Sequence, residues 1–211
     1  MKKLLAILLT AGIALGAAPL VFAADGTESA SQQTIKSQST ADIEVNGTLG
    51  ADNTDPDAKI PEGDVNWINV TVPTKTIFYN TASDTSIKAP NYSIVNNSGR
   101  PVTVSANGFT GDSGNPTLPT DFNLKLDVTG AAGVTATTAS TNLVTNGTLV
   151  TPLNSELITL ANSKNQFAAA DTAATPEKNK ATFTYSGNAT ADAQKQLKYT
   201  LNLKFDAVKW N

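Results

Sequence analysis

The chain has 211 residues, with 15 Lys+Arg against 18 Asp+Glu, 40% hydrophobic and 6% aromatic residues, and neither His nor Cys. Lacking imidazole and thiol, it cannot build a histidine general base, a thiol nucleophile, a disulfide, a Cys/His zinc site or haem and iron-sulfur ligation. Thr (30) and Asn (20) supply about a quarter of the chain, and Arg100 is the single arginine. With a net charge of -3, this argues against a basic face that tracks phosphates, so nucleic acid is not an expected partner.

The N-terminus reads as a secretory signal peptide over 1–23. Lys2 and Lys3 form the positive region, 4–20 is an apolar run interrupted by Thr10, Gly12, Gly16 and Pro19, and Val21-Phe22-Ala23 places small residues at the cleavage positions. Cleavage after Ala23 removes two lysines and leaves 13 basic against 18 acidic residues, net -5. No cysteine follows for lipidation. The chain end Phe205-Asp206-Ala207-Val208-Lys209-Trp210-Asn211 has neither apolar tail nor basic stop, and Leu118-Pro119-Thr120 continues as Asp121-Phe122 in mid-chain instead of forming a sortase signal. The expectation is a secreted protein, extracellular or associated with the cell wall, with no stable membrane insertion once the signal is removed.

Residues 24–40 are Ser, Gln, Thr, Ala and Asp with Ile35 as the one sizeable apolar side chain, which reads as a flexible leader. From Ala41 onward short runs alternate apolar with polar residues: Ala41, Ile43 and Val45; then Ile68, Val70 and Val72; then Val102 and Val104. Phe122, Leu124, Leu126 and Val128 follow, then Phe183 and Tyr185, and last Leu197, Tyr199, Leu201, Leu203 and Phe205. A period of two buries one face of a pleated strand. Turn clusters separate the runs, among them Asn97-Ser98-Gly99-Arg100-Pro101, Asn107-Gly108 and Ser186-Gly187-Asn188, and Val144-Thr145-Asn146-Gly147-Thr148-Leu149 has the spacing of a two-residue hairpin. The best helical stretches, 155–167 and 189–196, are weakly patterned. The expected fold is all-β: one antiparallel β-sandwich over 41–211, Ig-like or jelly-roll-like. Asn46-Gly47-Thr48-Leu49 recurs at 146–149, but the flanks do not match, so it reads as chance and not as a repeat.

Asp52, Asp55 and Asp57, with Glu62 and Asp64 nearby, offer hard oxygen donors. Counted from Asp52, the sixth and twelfth places hold Asp57 and Gly63 where an EF-hand needs Gly and Glu, so the stretch reads as a solvated acidic loop. No Ser stands three positions before a Lys, no phosphate-binding glycine pattern occurs, and few aromatics are available to stack sugars. No catalytic residue, cofactor or metal site is therefore assigned. Six Asn-x-Ser/Thr sequons, at Asn46, Asn69, Asn91, Asn96, Asn146 and Asn188, follow from composition. Trp67 and Trp210 are the candidate surface contacts, because tryptophan is an amphipathic anchor.

A signal peptide, a polar leader, Trp67-Ile68-Asn69-Val70-Thr71-Val72-Pro73, the stretch from Pro90-Asn91-Tyr92 through Arg100-Pro101-Val102-Thr103-Val104, and a closing strand over 197–205 together resemble small secreted surface proteins of low-GC Gram-positive bacteria, of the WxL-domain kind. Trp67 is followed by Ile68-Asn69 and Trp210 by Asn211, so the Trp-x-Leu triplet itself is absent. The resemblance implies non-covalent association with a cell-wall polymer or with other surface proteins. The expected function is thus non-enzymatic, in adhesion or surface architecture. The alternative is a structural subunit that self-associates into an extracellular fibre by β-strand addition.

Overall fold

The period-two runs become strands, and in the computed structural model these make two antiparallel sheets. The structure describes residues 52–172, 177–190 and 194–210. The signal segment, the leader, the run at Ala41, Ile43 and Val45 and the first Asn-Gly-Thr-Leu copy lie outside them. Among the described residues the strands are β1 (Val70–Thr71), β2 (Tyr79–Thr81), β3 (Asp84–Lys88), β4 (Tyr92–Asn96), β5 (Val102–Gly111), β6 (Asn123–Gly130), β7 (Ser140–Thr145), β8 (Thr148–Leu149), β9 (Ser155–Leu160), β10 (Lys180–Asn188) and β11 (Tyr199–Ala207). A single 3-10 turn, Val65–Trp67, precedes them, capped by Asp64, whose side chain accepts from the Asn66 N–H. No helix among the described residues is long and apolar enough to cross a membrane.

The larger sheet runs β1-β4-β10-β6-β7-β8, with the β2–β3 hairpin attached to the end of β10 through Asn188 opposite Ser86. The smaller sheet runs β11-β5-β9. Leu124, Leu126 and Val128 of β6, Ala181, Phe183 and Tyr185 of β10, and Val104 and Ala106 of β5 all point into the core between the sheets, as strict alternation requires. The chain is an all-β antiparallel sandwich.

Bulges break that alternation, each adding one residue to one strand of a pair. On β5 the register with β11 slips so that Leu201 faces Phe109 while Leu203 faces Ala106, which lets Ala106 and Phe109, three apart, both turn inward. On β9 the slip falls at Leu157, and Leu157, Ile158 and Leu160 are all buried. That spacing mimics a helical stripe. It corrects the helical reading of 155–167: Ser155–Leu160 is a bulged strand, and the residues after it form a loop pinned by Asn162 Oδ1, which accepts from the N–H groups of Lys164 and Gln166. Of 189–196, residues 191–193 lie outside the described residues and the others carry no helix.

The expected hairpin is present, with Val144 opposite Leu149 and Thr145 opposite Thr148. Asn146 and Gly147 both take positive φ, 50° and 73°, as a two-residue turn of the primed type demands. Gly187 has φ 142°, and a Cβ there would stand 1.9 Å from the Asn123 carbonyl oxygen; only glycine lets β10 approach β6 so closely at that point.

Candidate functional site

The two tryptophans differ in exposure. Trp67 is fully buried and its Nε1 donates to the Pro61 carbonyl at 3.0 Å. Trp210 is half-buried, and its Nε1 is enclosed without a hydrogen-bond partner among the described residues. What draws both inward is Arg100, whose guanidinium carbon sits 4.1 Å over the Trp67 ring and 4.3 Å over the Trp210 ring. Arg100 Nε donates to both Glu62 carboxylate oxygens at 3.0 Å, Nη2 pairs with Glu62 Oε1, and Nη1 donates to the Pro56 carbonyl at 2.7 Å. Arg100 holds Glu62 below the usual carboxylate range, against a smaller opposing effect of burial. The cluster ties the stretch before β1 and the chain end after β11 to the turn between β4 and β5. It is a structural clasp, and the full burial of Trp67 corrects the reading of that residue as a surface contact.

The acidic loop over 52–64 keeps its carboxylates exposed or half-exposed, and three of them form turns. Asp52 Oδ1 accepts from the Thr54 N–H and hydroxyl, Asp55 Oδ1 from the Asp57 N–H, and Asp64 Oδ1 from the Asn66 N–H. The sequons sort by exposure. Asn91, Asn146 and Asn188 are exposed, whereas Asn96 is fully buried, its amide donating to the carbonyls of Arg100 (2.9 Å) and Ala161 (2.8 Å).

A second feature lies along β11. Among the described residues this strand pairs on one side only, with β5, over the full length from Tyr199 opposite Gly111 to Ala207 opposite Val102. Its inward row, Tyr199, Leu201, Leu203 and Phe205, is half-buried, whereas the matching rows of β5, β6 and β10 are buried. The row is only half-buried because, among the described residues, β11 ends its sheet. Between β11 and the irregular stretch 72–77 runs a groove of about 1120 Å³ with Phe183 and Tyr185 of β10 in its lining. Ile77, 61% exposed, stands beside it. The row of apolar β11 residues was legible in the sequence; that it ends a sheet was not, because pairing partners are set by topology and not by periodicity.

At its Tyr199 end the groove continues into an aromatic recess of about 600 Å³. Phe78 packs there against Phe122 (6.1 Å between centroids), Tyr185 (6.0 Å) and Tyr199 (6.2 Å), and Phe109 stacks on Tyr199 at 4.8 Å. Thr76 Oγ1 and Tyr185 Oη share a hydrogen bond at 3.0 Å, while Tyr199 Oη is enclosed with no partner among the described residues. Burial raises both tyrosine hydroxyls above their ordinary range. The walls thus offer apolar and aromatic surface, hydroxyls, the charged side chains of Lys75, Asp112, Lys195 and Lys198, and a sheet edge unpaired among the described residues. Such a lining can hold a ligand by packing, with charged groups at its margins. Compared with known proteins, the chain matches no protein-family model, no curated protein and no solved structure.

Proposed function

We propose that the protein is an exported, non-enzymatic component of the bacterial surface, held non-covalently to the cell wall or to other surface proteins, and that its working surface is the free edge of β11. The observation that carries this reading is the pairing of β11, among the described residues, on one side only, with a half-buried apolar row bordering a groove. A free strand presents unpaired N–H and C=O groups, and an extended segment laid beside it satisfies them while its alternate side chains fill the groove. Protein architecture built by strand addition therefore fits the site better than recognition of a wall glycan, for which Trp67 is buried and Trp210 is taken up by Arg100. Export itself rests on the sequence of residues 1–23.

The test is fractionation of secreting cells expressing the whole chain, wild type beside Leu203→Arg, which sets a charge in the groove. The wild type is expected in a wall or surface fraction that strong denaturant releases without a wall-degrading enzyme, and the folded variant in the medium. Equal retention of the two proteins overturns the assignment of the β11 edge.

A further inference from the structure

We infer that the aromatic recess is a binding site for a small planar aromatic acid, its ring laid against the phenylalanine and tyrosine floor and its carboxylate turned toward Lys195. The inference stands apart from the reading of β11 as a partner edge. At about 600 Å³ the recess falls within the range of about 300–1,000 Å³ usual for small-molecule sites, which join an apolar lining to a few placed polar groups. Its floor is fixed. Ile87, Phe109, Phe122 and Tyr185 are buried members of the core, so the cavity is bounded by side chains already held by close packing. The β2–β3 hairpin, which supplies one wall, is fastened to the end of β10: Asn80 Nδ2 donates to the Ala189 carbonyl at 2.6 Å, and the Ala189 N–H donates to the Thr85 carbonyl at 2.9 Å.

The lining favours a ring over a flexible chain. Phe78 lies at 28° to Phe122 and at 29° to Tyr199, and Phe109 lies at 20° to Tyr199. Near-parallel rings present flat faces, against which a planar ligand stacks with an offset and gains more than its buried area alone gives. The mouth is apolar too: Ile77 and Tyr79, 61% and 52% exposed, are two of the four large hydrophobic side chains that stand in solvent among the described residues. Polarity sets the ligand's direction. Tyr199 Oη is enclosed and out of reach, and Tyr185 Oη is held by Thr76, so the inner end suits carbon. Thr117, Thr190 and Lys195 are exposed at the rim, and Lys195 is the one charged side chain among the described residues that line the recess. Asp121, next to Phe122, has its Oδ2 occupied by the Thr190 N–H and hydroxyl, at 2.9 and 2.5 Å. An anionic group at the mouth thus meets a cation, whereas a ligand cation would meet no carboxylate among those lining residues.

The experiment titrates naphthalene-2-carboxylate onto the secreted chain by calorimetry, with naphthalene-2-carboxamide as its neutral counterpart and decanoate as a flexible acid. Lys195→Glu and Tyr79→Ser change exposed residues of the recess, and Val72→Asp changes the groove outside it; each is first matched to wild type in melting temperature. The expected result is saturable one-to-one binding of the aromatic acid, tighter than that of decanoate. Lys195→Glu should weaken the carboxylate about two- to tenfold, the span of an exposed ion pair and its reversal, and leave the carboxamide unchanged. Tyr79→Ser should weaken both aromatic ligands, and Val72→Asp neither. Absence of saturable binding to wild type overturns the inference. Decanoate binding as tightly as the aromatic acid overturns the aromatic class, and a loss in Val72→Asp that equals the loss in Tyr79→Ser overturns the recess in favour of the groove. Equal weakening of carboxylate and carboxamide by Lys195→Glu overturns the role of the rim charge. None of these outcomes touches the β11 edge, whose test is retention on secreting cells.

Discussion

Arg100, the one arginine of the chain, places its guanidinium carbon 4.1 Å over the ring of Trp67, a residue with no solvent exposure. Trp210 stands over the same group at 4.3 Å, and Glu62 and the Pro56 carbonyl take its N–H groups. A planar cation with forked donors can satisfy all four partners at once; an ammonium cannot. Arg100→Lys is expected to lower stability by about 2–4 kcal/mol, from lost cation-π contacts of up to about 2 kcal/mol and lost charge-assisted hydrogen bonds. Urea denaturation followed by tryptophan fluorescence measures this directly, and a loss under about 1 kcal/mol would show the clasp to be dispensable.

Acid should open the same clasp. Glu62 is held below its ordinary value of 4.5, first by the hydrogen bond from Arg100, with burial opposing and the Trp210 N–H assisting. A depressed carboxylate contributes stability that is complete above its unfolded value and disappears as pH falls through the lower, folded one. Wild type should therefore lose stability on going below about pH 4.5. Other acids share in that loss, among them Asp84, lowered to about 2 by Lys88 and Ser86. The difference between wild type and Glu62→Gln isolates the clasp: it should be largest near neutrality and shrink on acidification. A pH-independent difference would mean that the carboxylate charge plays no part.

Asn96 is the second point at which the sandwich end is fastened. Its amide nitrogen donates to the carbonyls of Arg100 and Ala161, and its Oδ1 accepts from the Ser98 N–H at 3.0 Å, all in a buried setting. Asn96→Ala strands two carbonyls and one N–H, each at a cost of about 1–3 kcal/mol, so a loss of about 3 kcal/mol or more is expected in the same denaturation assay. In a host that glycosylates exported chains, peptide mapping should find glycan at Asn91, Asn146 or Asn188 and none at Asn96 of the folded protein. Occupancy at Asn96 would mean that this end of the sandwich closes late.

The all-β fold was legible because its evidence is local. Leu124, Leu126 and Val128 alternate without a break, and Asn146-Gly147 can hardly be anything but a tight turn. Bulges defeat the same reasoning. Leu157, Ile158 and Leu160 imitate a helix because one extra residue shifts the phase of the strand. The roles of Trp67 and Trp210 were hidden for a different reason: they depend on one arginine 33 positions from the first and 110 from the second, and composition marks that arginine as rare without saying what it binds. That β11 ends its sheet among the described residues lay still further out of reach, since nothing within the strand records which of its two sides finds a partner.

The strand that bears this edge is also expected to hold the small sheet together. β11 covers β5 along nine residues, and Tyr199, Leu201, Leu203 and Phe205 are half-buried beside Leu197. At roughly 1.5–3 kcal/mol for each fully buried side chain, half burial of five still contributes several kcal/mol, a large share of an ordinary domain's stability of about 5–15 kcal/mol. Truncation after Gln196 also removes Trp210 from Arg100. The shortened chain should therefore be unfolded or aggregated by circular dichroism and light scattering. A shortened monomer that still melts cooperatively would show the opposite order of dependence: a body stable on β5 and β9 alone, with β11 added to it much as a donated strand would be.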